Sequence, residues 1–91
     1  MKYLYSTIVP ESFDFMDFSE RLCESLPEDA EAVYGGGNYD GKRILEVVSN
    51  VQPEVFTKVM ANATGGVVSA ETLKALPLAK AHPRFLDERD Y

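Results

Sequence analysis

Asp40-Gly41 separates two runs of β-prone residues: Ala32-Val33-Tyr34 with the glycines that follow it, and Arg43-Ile44-Leu45-Glu46-Val47-Val48-Ser49. An Asp-Gly pair suits a type I′ turn, whose two central residues both need positive φ and whose twist matches the strands it joins. A two-residue turn leaves no freedom of register. It sets Tyr39 opposite Lys42 and Val33 opposite Val48. It also puts Gly35-Gly36-Gly37 against Ile44, Leu45 and Glu46, where glycine is expected to weaken the ladder or form a bulge. The middle of the chain is thereby committed to an antiparallel hairpin, and the rest has to pack around one.

To either side the hydrophobic period changes. From Lys2 to Val9, Tyr3, Tyr5, Thr7 and Val9 alternate with Leu4, Ser6 and Ile8, the pattern of a strand. From Phe13 to Leu26, Phe15, Phe18, Leu22 and Leu26 fall within about 80° of arc at ~100° per residue, which predicts an amphipathic helix. Ser12 is its expected N-cap, and Pro27 ends it by turning Leu26 away from the α region. A second helix fits Pro53 to Ala63, with proline at an early position and Gly65-Gly66 after the end. Val67-Val68 predicts a brief edge strand, and Ser69 the cap of a third short helix from Ala70 to Leu76, stopped by Pro77.

This order predicts a small α+β sandwich of the ferredoxin-like (split βαβ) kind, with an antiparallel three- or four-stranded sheet and two to three helices on one face. The 91 residues suffice for one core. They divide into a single α+β domain over 1–79 and a C-terminal tail over 80–91, whose Phe85-Leu86 is expected to tuck back onto the core.

Charge is distributed unevenly. Between Glu11 and Glu31 stand eight acids and one base, Arg21, so that window carries seven net negative charges, although the whole chain carries only six. Asp14, Asp17, Glu20, Glu24 and Glu28 point away from the apolar stripe of the first helix and span ~21 Å at 1.5 Å per residue, roughly one carboxylate per 5 Å. A DNA strand places one charge every ~3.4 Å. The densities are of the same order, so the row suits a basic groove built for phosphates; the competing reading is a solvated helix face diluted by Arg21. Tyr34, Asn38 and Tyr39 of the hairpin are the expected second contact, since tyrosine supplies contact area at low entropy cost. The glycine run beside Lys42 and Arg43 makes no phosphate cradle, because a strand follows it and not a helix.

Chemistry-bearing residues are sparse. Cys23 and His82 are the sole cysteine and histidine, too few for a disulfide or a zinc site. Cys23, at the border of the apolar stripe, is expected to be half-buried, and His82 to be solvated. The carboxylates of the first helix lie on its outer face, where nothing moves their pKa toward acid–base work. No catalytic, metal or cofactor residue is therefore expected. Glu46 alternates with Ile44 and Val48: either it is buried and needs a partner, or Ile44 and Val48 are exposed as a protein-binding strip. The first ten residues make a poor signal peptide and no run of about eighteen apolar residues exists. The expected location is cytoplasmic, in the host if the chain is phage-encoded. The negative charge argues against direct contact with nucleic acid or membrane.

In size, acidity and compact α+β make-up, the chain resembles the small inhibitors that phages deploy against host nucleic-acid machines, anti-CRISPR and anti-restriction proteins among them. That resemblance implies a viral, non-enzymatic regulator that mimics nucleic acid and binds a protein partner with a basic surface. The alternative is a structural or assembly subunit forming a homo- or hetero-oligomer, a homodimer included, through an exposed sheet face built from Ile44, Val48 and the tyrosines of the first strand. An enzyme or small-ligand role would need a pocket of convergent polar groups.

Overall fold

The elements run β1 (Tyr3–Ile8), α1 (Phe15–Ser25), β2 (Ala32–Tyr39), β3 (Lys42–Ser49), α2 (Pro53–Ala63) and β4 (Lys74–Pro77), with a 3-10 turn at Leu78–Lys80. They are seen in a computed structural model that describes residues 1–69, 71–87 and 89. The fold is α+β, with one four-stranded antiparallel sheet in the order β2-β3-β1-β4 and two α-helices among the described residues. β3 lies between β1 and β2, antiparallel to both. Phe18 and Leu22 of α1 meet Phe56, Val59, Met60 and Ala63 of α2 over Tyr5, Leu45 and Val47, so both helices cover the same sheet face.

The hairpin has the register its turn demands. Asp40 and Gly41 both take positive φ, 53° and 77°, and the pairs run from Tyr39↔Lys42 to Ala32↔Ser49. The glycines form no bulge: Gly35, Gly36 and Gly37 pair in sequence with Glu46, Leu45 and Ile44. They are glycines because both faces are approached closely. A Cβ on Gly36 would lie 2.5 Å from Cζ of Phe15, one on Gly37 2.8 Å from Cε1 of Phe85, and one on Gly35 2.9 Å from Cδ2 of Leu86.

Three local expectations are corrected. The N-cap of α1 is Asp14, whose carboxylate accepts from the N–H groups of Met16 at 2.9 Å and Asp17 at 3.3 Å. Ser12 is not the cap because a turn closed by Phe13 N–H on the carbonyl of Pro10 at 3.0 Å delays the helix by two residues. Val67-Val68 is not a strand. Val68 is buried, held by the Thr64 hydroxyl, which donates to the Met60 carbonyl at 2.6 Å and accepts from Val68 N–H at 3.1 Å. The expected third helix is also absent from its described part, Ala70 lying outside the described residues. Lys74–Pro77 is instead the fourth strand, paired Leu4↔Leu76 and Tyr5↔Ala75. Leu73 to Leu76 favours helix by composition, but the open edge of β1 offers backbone hydrogen bonds and side-chain packing that outweigh that weak preference.

Tyr5 is the central core residue. It stacks on Phe56 with centroids 4.0 Å apart, and its hydroxyl donates to the Val51 carbonyl at 2.6 Å. Burial, with smaller contributions from Tyr3 and Glu54, pushes its phenol well above the ordinary tyrosine range. A raised pKa means that the folded state holds the proton longer than the unfolded chain. The corresponding stability is complete below the unfolded value of about 10 and is lost as pH rises toward the folded value. Urea unfolding is expected to weaken above about pH 10. Tyr5→Phe should flatten part of that slope and cost about 1 kcal/mol at neutral pH for the lost hydrogen bond. An unchanged alkaline slope in the variant would contradict this.

Candidate functional site

Phe18 and Leu22 anchor α1, and the helical period turns its acids to water. Asp14, Asp17, Glu20 and Glu24 are all exposed, as is Glu28 just beyond the helix. Asp14 is occupied by capping, which suits the positive end of the helix dipole. Asp17 pairs with Arg21 at 3.1 Å, an exposed i,i+4 contact that holds the only base of the window. Glu20, Glu24 and Glu28 form no ion pair among the described residues.

The three hairpin residues do not share one surface. Tyr34 is half-buried against Phe18, in an edge-to-face contact with centroids 5.7 Å apart, because its register puts it beneath α1. Asn38 is exposed on that same side. Tyr39 projects from the opposite face, where the guanidinium of Arg84 sits 4.2 Å above its ring. Tyr34 is therefore a packing residue, and the expected contact is reduced to separate exposed side chains at the hairpin tip.

That opposite face resolves the two alternatives for Glu46. Glu46 is 2% exposed, and its Oε1 accepts from the backbone N–H groups of Arg84 at 2.7 Å and Phe85 at 2.8 Å. Residues 84–86 cross the sheet like a strap, with Phe85 over Gly37 and Leu86 over Gly35. Ile44 and Val48 are buried, and Tyr3 and Tyr5 belong to the helix face. The strip required by the assembly alternative is thus neither exposed nor on a single face. Sequence reasoning identified the dilemma of Glu46 but missed its ligands; the available signal was an acid in a strand opposite Gly35, with Gly37 beside it on the same face.

Cys23 is exposed, not half-buried, since Ser25 and Leu26 turn inward in its place. His82 is exposed. Among the described residues no group of three or more His, Cys, Asp or Glu is placed to hold a metal ion, and no helix is long and apolar enough to cross a membrane. An open groove of about 470 Å³ beside the strap brings Lys42, Lys74 and Arg84 near Asp40 and Glu71, so its charge is mixed. Comparisons with protein-family models, curated proteins and solved structures return no match.

Proposed function

We propose that this protein is a non-enzymatic, cytoplasmic regulator that binds another protein, its α1 carboxylates seated against a basic surface on a nucleic-acid-handling partner in the manner of phage anti-defence inhibitors. The observation that carries this reading is the exposed row Glu20, Glu24 and Glu28, unpaired among the described residues and extended by Asp14 and Asp17. A like-signed row along one helix and the turn that follows it steers a cationic partner and suppresses anionic ones. The strand order β2-β3-β1-β4 is read, in the same spirit, as the ferredoxin-like arrangement.

The test is capture from nuclease-treated cell extract on immobilised protein, eluted with rising salt. A partner is expected to leave at moderate salt and to be lost from the triple variant Glu20→Lys, Glu24→Lys, Glu28→Lys. These exposed positions should each change stability by less than about 0.5 kcal/mol, so thermal unfolding of the variant serves as the folding control. A partner that stays on the folded variant and elutes at the same salt would exclude the acidic row as the contact.

A further inference from the structure

Among the described residues no strand pairs with the outer side of β2. Tyr39 faces Lys42 across the two-residue turn, so Tyr39, Gly37, Gly35 and Val33 exchange hydrogen bonds with β3. The bond from Val9 N–H to the Arg43 carbonyl, 2.9 Å, gives the same parity from the other side of β3. The backbone groups of Ala32, Tyr34, Gly36 and Asn38 therefore point away from the sheet. Proteins usually protect such an edge by short length, lysine, proline or a bulge. The other edge follows that rule: β4 has four residues and carries Lys74 and Pro77. β2 has eight residues, no charge, no proline and an unbroken ladder. Beside its first half an open groove of about 430 Å³ is walled by Ala32, Val33, Tyr34 and Leu86.

We propose that β2 pairs antiparallel with β2 of a second copy of this chain, about a twofold axis at Gly35, joining two four-stranded sheets into one. The edge is self-complementary in this register. A twofold axis perpendicular to the sheet sets Tyr34 of each copy opposite Gly36 of the other, and Val33 opposite Gly37, so these two side chains each meet a glycine, while Asn38 meets Ala32. Gly36 stays exposed although Phe15 crosses it, and an aromatic side chain across from such a glycine covers backbone still open to solvent. Centring on Gly36 would instead oppose Tyr34 to Asn38 and Val33 to Tyr39 and set all three glycines against glycines, whereas the Gly35 axis does so only at Gly35 itself. The Gly35 register makes roughly eight new backbone hydrogen bonds.

The helix above the edge agrees with this occupant. α1 lies over β2, with Phe15 on Gly36 and Phe18 on Tyr34. Its Cys23 and Leu26 border a groove with Ala32 and Val33, whereas Asp17 and Arg21 face a cleft with Ala63 and Thr64 of the α2 end. At ~100° per residue, Met16, Ser19 and Cys23 share the side toward the edge. That side is uncharged and holds a methionine that is 79% exposed.

Each copy carries a net charge of −6, so screening favours the pair and salt should strengthen it. Binding through the acidic row has the opposite salt dependence, which keeps the two readings separable. The experiment is sedimentation velocity of the full chain from about 10 μM to about 1 mM, at low and high NaCl, joined to amide exchange at both ends of that range. A monomer–dimer equilibrium that tightens with salt is expected. The amides of Ala32, Tyr34, Gly36 and Asn38 should be slow only where the dimer is populated, and those of Val33, Gly35 and Gly37 slow throughout. Asn38→Pro removes an outward N–H and no bond within the sheet, so it should weaken the dimer at least about tenfold. A monomer throughout, with the outward amides always fast, overturns the proposal, and so does a dimer that forms while those amides stay fast. The exchange pattern of the unaltered protein decides the matter even if the proline variant folds poorly.

Discussion

Glu46→Ala is expected to release residues 84–86 from the sheet and to lower the free energy of unfolding by about 3 kcal/mol. A buried carboxylate that accepts two N–H groups at 2.7 and 2.8 Å makes charge-assisted bonds, each worth about 1.5–3 kcal/mol. The loss is limited by the strap's own docking energy, because the two amides reach water once the strap leaves. Phe85 and Leu86 would leave with it, uncovering Gly37 and Gly35. Glu46→Gln keeps an oxygen at the Oε1 position and gives up the charge, so it should cost about half as much or less. Urea unfolding gives the energies, and amide exchange at Arg84 and Phe85 reports the strap directly. If those amides exchanged equally slowly in the alanine variant, Glu46 would not be what holds them.

Gly36→Ala is expected to destabilise by about 3 kcal/mol, at the upper end of overpacking costs for a single methyl group. The added Cβ would lie 2.5 Å from the Phe15 ring and 2.8 Å from the Ile44 carbonyl oxygen. Phe15 has little room to withdraw, since the Arg43 guanidinium covers it at 4.5 Å and Phe13 packs on its edge at 5.4 Å. The carbonyl belongs to the β2–β3 ladder and cannot move without breaking it. Gly41→Ala is the control: a Cβ there meets nothing within 4 Å, so only the positive φ resists, at about 1–2 kcal/mol. A double-mutant cycle with Phe15→Ala should recover at least about 1 kcal/mol, the signature of a steric contact. Equal costs at Gly36 and Gly41 would mean that backbone conformation, not the approach of α1, selects glycine in β2.

Both predictions concern residues whose role was invisible in the linear chain. Glu46 sat in a strand pattern with two readings, and the choice depended on residues 38 and 39 positions downstream. The glycines suggested a weak ladder because sequence reveals a missing side chain but not what fills the space. Cap choice failed for a smaller reason: Ser12 and Asp14 are both good caps, and the turn at Pro10 to Phe13 decided between them. The exposure of the acidic row was legible, since helical period and charge are local properties, although Asp14 serves as the N-cap and Glu28 lies beyond the helix end. The partial burial of Tyr34 was not legible, because it depends on where α1 crosses the sheet.

By itself the sequence determined β1, α1, the hairpin with its register, and α2, because turn chemistry and hydrophobic period are encoded within a few neighbouring residues. Only the tertiary structure decided that Lys74–Pro77 is a strand, that Glu46 grips the strap, and that three glycines admit Phe15, Phe85 and Leu86. Each of those outcomes is set by a contact between residues far apart in the chain, and the energy of such a contact exists only after the chain has folded to bring them together.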